Sequence, residues 1–63
     1  MALDTKAAAQ YIGLAAHTLE KMRSSGGGPK YMKLGRAVRY SPDLLDEWME
    51  ARIVSSTSEQ VPA

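Results

Sequence analysis

Six residues in the middle of the chain, SSGGGP at positions 24–29, interrupt any regular secondary structure. Glycine and proline in close succession favour a loop, because glycine permits many backbone conformations and proline lacks an amide hydrogen. Before this run the apolar residues recur at helical spacing, and after it they alternate with charged residues at a period of two. A chain of 63 residues can hold only one domain, so the two halves must pack into one small fold.

The first half predicts two short helices joined by a turn at Gly13. Thr5 is expected to cap a helix over residues 6–12, and Gly13 suits the left-handed backbone that ends a helix. A second helix is expected over residues 15–24. Small and apolar side chains stand at the offsets that let two helices cross as in a helix-turn-helix: Ala8, Ala9, Ile12, Gly13, Leu14, Leu19 and Met22. The alternative is an ordinary helical hairpin inside a small core.

The second half predicts a β-hairpin. Apolar residues occupy every second position of two short runs: Met32, Leu34, Val38 and Tyr40. If Leu34 pairs with Val38, these four share one face, while the basic residues Lys33 and Arg39 share the other. A two-residue turn at positions 35 and 36 would mix the two sets. We therefore predict the first register, with residues 35–37 as the loop.

A third helix is predicted after the hairpin. Ser41 is a good cap, Pro42 fits the first helical position, and Asp43 suits the positive end of the helix dipole. The apolar stripe of this helix, with its tryptophan expected in the core, consists of Leu44, Leu45, Trp48 and Met49. Residues 1–53 thus form one predicted domain, mainly α-helical with a small hairpin, in the order α-α-β-β-α. Residues 54–63 are expected to be a disordered tail.

Positive charge is concentrated in the middle of the chain. Residues 17–40 contain six basic residues and one acidic residue, Glu20, whereas the rest of the chain contains two basic and six acidic residues. The net charge is only +1. Such a basic middle can bind a polyanion while the acidic flanks keep the protein soluble.

Several other classes of protein are not expected. The chain has no cysteine and a single histidine, so no disulfide, metal site or catalytic group of the usual kinds can be assembled. The GGGPK segment lacks the spacing and the Ser or Thr of a phosphate-binding loop. We therefore expect no enzyme, no catalytic residue and no cofactor. Neither a membrane-spanning run nor an export signal is present, which predicts a cytoplasmic protein.

Two segments of the chain carry a family resemblance. QYIGLAAHTLEKM, at residues 10–22, and PKYMKLGRAVRYSPDLLDEW, at residues 29–48, resemble the winged helix-turn-helix of the phage excisionase and AlpA-type regulator family, which is related to the MerR DNA-binding domain. The resemblance implies a nucleoid-associated protein that binds double-stranded DNA, with the second helix in the major groove and the hairpin wing on the backbone or minor groove. Two residues depart from the pattern: Ala15 where a capping Ser or Thr is usual, and Glu20 where a basic or small polar residue is common.

The resemblance, with the charge pattern, selects the candidate DNA contacts. They are six residues of the second helix and three basic residues of the hairpin: Ala16, His17, Thr18, Glu20, Lys21, Arg23, Lys33, Arg36 and Arg39. Lys21 and Arg23 are expected on phosphates, and Arg36 is expected at the hairpin tip, where it suits a narrow minor groove or a pair of phosphates. The alternative for His17 is a surface residue without a contact, and for Thr18 a packing role near the turn.

Three functions remain open at this stage. The favoured one is an excisionase-like recombination directionality factor, which bends DNA at an attachment site and steers a tyrosine or serine integrase toward excision. We favour this role because the expected DNA-binding unit makes up nearly the whole of the sequence. The second is an AlpA-type transcriptional regulator at a promoter, and the third is a module that docks a recombinase or polymerase. Because one small module buries little DNA surface, we also expect several copies to associate cooperatively on neighbouring repeats.

Overall fold

The structure, a computed structural model, describes residues 1–54 of the chain. Its elements are α1 (Thr5–Ile12), α2 (Ala16–Ser25), β1 (Met32–Leu34), β2 (Ala37–Arg39) and α3 (Pro42–Glu50). The predicted order α-α-β-β-α and the winged helix-turn-helix class are confirmed. The predicted tail lies, from residue 55 onward, outside the described residues. No helix within residues 1–54 has the length and apolar character needed to cross a membrane.

The first helix begins one residue earlier than predicted. Its cap is Asp4, whose carboxylate accepts a hydrogen bond from the Ala7 amide at 2.8 Å. Thr5 is already the first helical residue, so its predicted role as the cap is wrong. The physical reason is that a carboxylate three positions before a free helical amide accepts a hydrogen bond from it. The negative charge is also stabilised by the positive end of the helix dipole. Gly13 ends the helix with a φ of 78°, as predicted.

The second helix lacks a side-chain cap. Ala15 has the extended backbone of a capping residue, but its methyl group makes no hydrogen bond to the first turn of α2. The cap expected in the resembled family is therefore missing in this chain, as the sequence predicts. At the other end, Gly26 stops the helix in the left-handed conformation, with a φ of 84°.

The core is built around the alanines of α1. The residues of the hydrophobic core come from all three helices and from the end of the hairpin: Ala8, Ala9, Leu19, Tyr40 and Leu45. Because Ala8 and Ala9 are small, both α2 and α3 can pack against α1. Trp48, which was expected in the core, and Leu14, which was assigned to the contact between the two helices, lie further out. Leu14 is 37% exposed, and Trp48 is half-buried beneath the guanidinium of Arg52, which lies 4.2 Å from its ring centroid.

The hairpin register differs from the predicted one. Leu34 pairs with Ala37 across a two-residue turn, and Lys33 pairs with Val38. The positive φ of the turn, 66°, falls on Gly35, as in type II′ turns, whose twist matches that of the paired strands. The prediction that Leu34 pairs with Val38 is therefore wrong.

The tight turn changes which side chains share a face. Val38 packs toward the core, together with the buried Tyr40 two positions later. The opposite face carries Met32, Leu34, Ala37 and Arg39. Lys33 and Arg39 thus lie on different faces. The backbone fixes this choice from outside the hairpin, because Leu3 and Tyr40 exchange two hydrogen bonds of 2.7 Å each.

Candidate nucleic-acid interface

The outer side of α2 is the first part of the candidate interface. Leu19 is fully buried against α1, so the residues on the opposite side of α2 face solvent. Residues three, four and seven positions apart share one side of a helix. The exposed residues that line one shallow depression there are His17, Glu20, Lys21, Ser24 and Ser25. The structure therefore brings together three of the predicted contacts.

Ser24 was not among the predicted contacts. The sequence assigned it to the boundary of the glycine-rich loop, whereas α2 continues through Ser25. Its spacing of seven residues from His17 and three from Lys21 is the signal that identifies it. The hydroxyl of Ser25 donates to the carbonyl oxygen of Met22 at 3.2 Å, so this serine helps to close the last turn.

Two predicted contacts on α2 also have partners within the protein. Ala16 is half-buried and packs against the core. Arg23 is half-buried, and one of its guanidinium nitrogens donates to the Thr5 hydroxyl at 3.3 Å and to the Tyr40 hydroxyl at 3.2 Å. The same guanidinium lies 5.9 Å from the centroid of the Tyr31 ring. Arg23 thus joins α1, α2 and the hairpin, a role that the sequence did not reveal. The predicted DNA contacts of both residues stay predictions.

A groove lined by basic residues begins at the carboxyl end of α2. Its lining includes Arg23, Lys30 and Tyr31, together with Gly26, Gly28 and Pro29, and contains no carboxylate. Tyr31 packs its ring at a tilt against Tyr40, with 6.0 Å between the centroids. This contact fixes the position of the segment that leads into β1. Positive charge therefore extends without interruption by acidic residues from the end of α2 to the start of the hairpin.

The wing, defined as residues 32–39, is the other part of the candidate interface. Lys33 and Arg36 are exposed, and Arg36 occupies the second position of the two-residue turn. Arg39 is half-buried and donates to the carbonyl oxygen of Val38 at 2.8 Å. The wing contains these three cations and no acidic residue. It therefore presents a narrow tip with uniformly positive charge.

A separate polar contact stabilises the helical frame behind the interface. The phenol of Tyr11 donates to the carboxylate of Asp46 at 2.8 Å, which joins α1 to α3. This hydrogen bond to a carboxylate, followed by desolvation and the negative charges of Asp46 and Asp43, raises the pKa of Tyr11 above its ordinary value. The two partners are 35 positions apart, and no local pattern in the sequence pointed to them.

Comparison with known proteins agrees with this geometry. A family model described as a helix-turn-helix domain matches residues 2–53. No curated protein matches the sequence closely enough to count as a relative. In domains of this kind the second helix of the pair enters the major groove of DNA, and α2 has the exposed polar side that such docking requires. The chain therefore belongs to the family of helix-turn-helix domains.

Proposed function

We propose that this protein binds double-stranded DNA in a sequence-specific manner, with α2 in the major groove and the wing on the adjacent backbone or minor groove. The observation that carries the proposal is the two-sided character of α2. Leu19 anchors one side in the core, while His17, Glu20 and Lys21 lie together on the exposed side. A helix held this rigidly can present side chains to base edges in a fixed register.

The exposed side of α2 contains groups for two kinds of contact. Lys21 suits phosphates, which position the protein without reading sequence. His17 can donate or accept a hydrogen bond at a base edge. Glu20 is unfavourable beside phosphates but can accept a hydrogen bond from the amino group of cytosine. A carboxylate in this place therefore contributes discrimination between bases more than affinity.

The wing and the groove at the carboxyl end of α2 supply the remaining positive charge of the proposed interface. Arg36 at the tip can enter the minor groove or bridge two phosphates, and Lys33 stands beside it. If about four to six phosphates are neutralised, the slope of log affinity against log salt concentration should be roughly −4 to −5. The protein brings no chemistry of its own to the DNA in this proposal.

For the biological role, we propose an excisionase-like recombination directionality factor that bends DNA at an attachment site and steers a tyrosine or serine integrase toward excision. The support is the resemblance of the wing and of the start of α3, KLGRAVRY followed by SPDLLDEW, to that family. A single module buries only about 600–1,000 Å² of protein surface on DNA. Several copies on neighbouring repeats would supply the missing specificity and the bend.

DNA binding is tested by fluorescence anisotropy with a duplex enriched from a random-sequence library by the wild-type protein. Lys21→Ala and Arg36→Ala should each weaken binding and reduce the salt slope by about one. The matched control is Lys6→Ala, which removes one exposed positive charge on α1, outside the proposed interface. Glu20→Gln should change the preferred base at one position of the site. If both alanine variants bind like the wild type, or if no duplex is enriched, the proposal is wrong.

The biological role is tested by footprinting and by electrophoretic bending assays on the DNA that flanks the gene of this protein. An excisionase-like factor should protect several adjacent repeats and bend the DNA. Protection of one half-site on straight DNA, together with altered transcription from an adjoining promoter, would contradict this role and favour an AlpA-type regulator. A protein-docking module would show no salt-dependent binding to DNA alone.

A further inference from the structure

Leu34 is a large apolar side chain that the fold leaves in water. It is the last residue of β1, directly before the tight turn, and is 57% exposed. Within the helices and strands of residues 1–54, no other large apolar side chain is as exposed. Folding of the wing does not require an apolar group here, because polar β-branched residues also suit an exposed strand position.

The surroundings of Leu34 make this side chain project from the tip. Its cross-strand partner, Ala37, has only a methyl group, and the next residue, Gly35, has no side chain. The core side of the wing is occupied by Val38 and Tyr40, so Leu34 points to the opposite face. No other residue of the tip provides an apolar cover for it.

The charges beside Leu34 identify the kind of surface that it contacts. Arg36 follows it within the turn and is exposed, and Arg39, which is half-buried, lies on the same face of the hairpin as Leu34. An apolar side chain between two cations complements the minor groove of DNA, where an apolar floor of bases lies between two rows of phosphates. A minor groove about 6 Å wide admits side chains but not a two-stranded ribbon, so the residues of the tip are the ones that enter it.

We propose that Leu34 is an apolar wedge that enters the minor groove and partly unstacks one base step, with Arg36 and Arg39 on the flanking phosphates. This inference rests on the DNA binding proposed above and adds the residue that deforms the duplex. Wedges of Leu, Ile, Met or Phe kink DNA toward the major groove by about 20–90°. Because pyrimidine–purine steps unstack most easily, the step beneath the wing is expected to be TA or CA.

The test compares three variants on the duplex enriched by the wild-type protein. Leu34→Thr removes the apolar wedge but keeps a strand-forming residue, and Leu34→Met keeps the apolar volume. The matched control is Ile53→Thr, which removes another exposed aliphatic group, 75% exposed, outside the wing. Thermal unfolding of each variant shows that the fold is retained, as the exposure of Leu34 predicts.

Three measurements are made: affinity, bend angle by circular-permutation electrophoresis, and fluorescence of 2-aminopurine placed at successive steps of the duplex. Wild type, Leu34→Met and Ile53→Thr should bend the DNA and brighten the probe at one step. Leu34→Thr should lose that signal and most of the bend, and should bind about tenfold more weakly.

A Leu34→Thr variant that bends DNA and brightens the probe like the wild type would overturn the wedge. This result is distinguishable from failure of the proposed function, because in that case neither the wild type nor any variant binds a duplex. If Arg36→Ala binds DNA more weakly while Leu34→Thr binds and bends it like the wild type, the wedge is refuted and the proposed DNA binding is retained.

Discussion

Two neighbouring glycines of the SSGGGP run should respond in opposite ways to the same substitution. A Cβ atom on Gly28 would lie 2.8 Å from the Cβ of Met22, with the Met22 carbonyl carbon and sulfur both at 3.6 Å. A Cβ atom on Gly27 would meet only the hydroxyl of Ser25, at 3.8 Å. Favourable carbon–carbon contacts lie at about 3.5–4.0 Å, so alanine is too close at position 28 and fits at position 27.

The size of the difference in stability depends on whether the atoms that the new methyl group contacts can move away. The Met22 Cβ belongs to α2 and cannot swing away as the end of a side chain can, so Gly28→Ala must displace the loop from the helix. Overpacking of this kind costs about 1–3 kcal/mol. Gly27→Ala adds no clash and restricts the unfolded chain, which stabilises a protein by about 0.4–1 kcal/mol where the backbone permits. The two variants should therefore differ by about 2 kcal/mol.

Thermal unfolding followed by far-ultraviolet circular dichroism measures this difference. In a domain of this size 1 kcal/mol corresponds to about 4–8 °C in Tm, so the gap should be on the order of 10 °C. Wild type should lie between the two variants. If Gly28→Ala unfolds at the same temperature as Gly27→Ala or above it, the close approach of the loop to α2 is refuted.

Three further predictions concern single contacts. Tyr40→Phe removes the hydroxyl that accepts from Arg23 and should lower the free energy of unfolding in urea by about 1 kcal/mol; an unchanged value would contradict the hydrogen bond. Ala15→Ser should supply the missing cap of α2 and raise the free energy of unfolding by about 1 kcal/mol, measured in the same way. The raised pKa of Tyr11 means that the folded state favours the protonated phenol. Its hydrogen bond to Asp46 should therefore stabilise the fold fully below the ordinary phenol pKa, about 10, and be lost as pH rises through the raised value. Tyr11→Phe should abolish this loss of stability at alkaline pH, measured as the free energy of unfolding in urea at a series of pH values. The same pH dependence in the variant and in the wild type would refute the contribution of this hydrogen bond.

The order of the elements could be predicted because each boundary has a local signal. Gly13 ends α1, the glycine run follows α2, and Ser41 with Pro42 starts α3. Each of these residues acts on the backbone at its own position, so the sequence pattern is sufficient. The cap of α1 was assigned to Thr5 in place of Asp4 because both residues are good caps and stand side by side.

The hairpin register could not be predicted in this way. The argument from alternation assumed that all four apolar residues of the hairpin share one buried face. In the structure only Val38 and Tyr40 turn toward the core, and the backbone pairing of Tyr40 with Leu3 holds them there. That pairing joins residues 37 positions apart, and the local periodicity of a sequence carries no information about such a distant contact. The exposed Leu34 is the direct consequence of this non-local contact.

The two cations of α2 show why a charge count is a poor guide to a binding surface. Lys21 and Arg23 are two residues apart, so at about 100° per residue their side chains leave the helix on nearly opposite sides. Lys21 stands with His17 and Glu20 on the exposed side, whereas Arg23 turns inward to hydrogen-bond with hydroxyl groups of α1 and the hairpin. Composition counts both charges alike. The helix period separates them, because the side of α2 that Leu19 buries also determines that Lys21 stays exposed to solvent and that Arg23 reaches the hydroxyl groups of Thr5 and Tyr40.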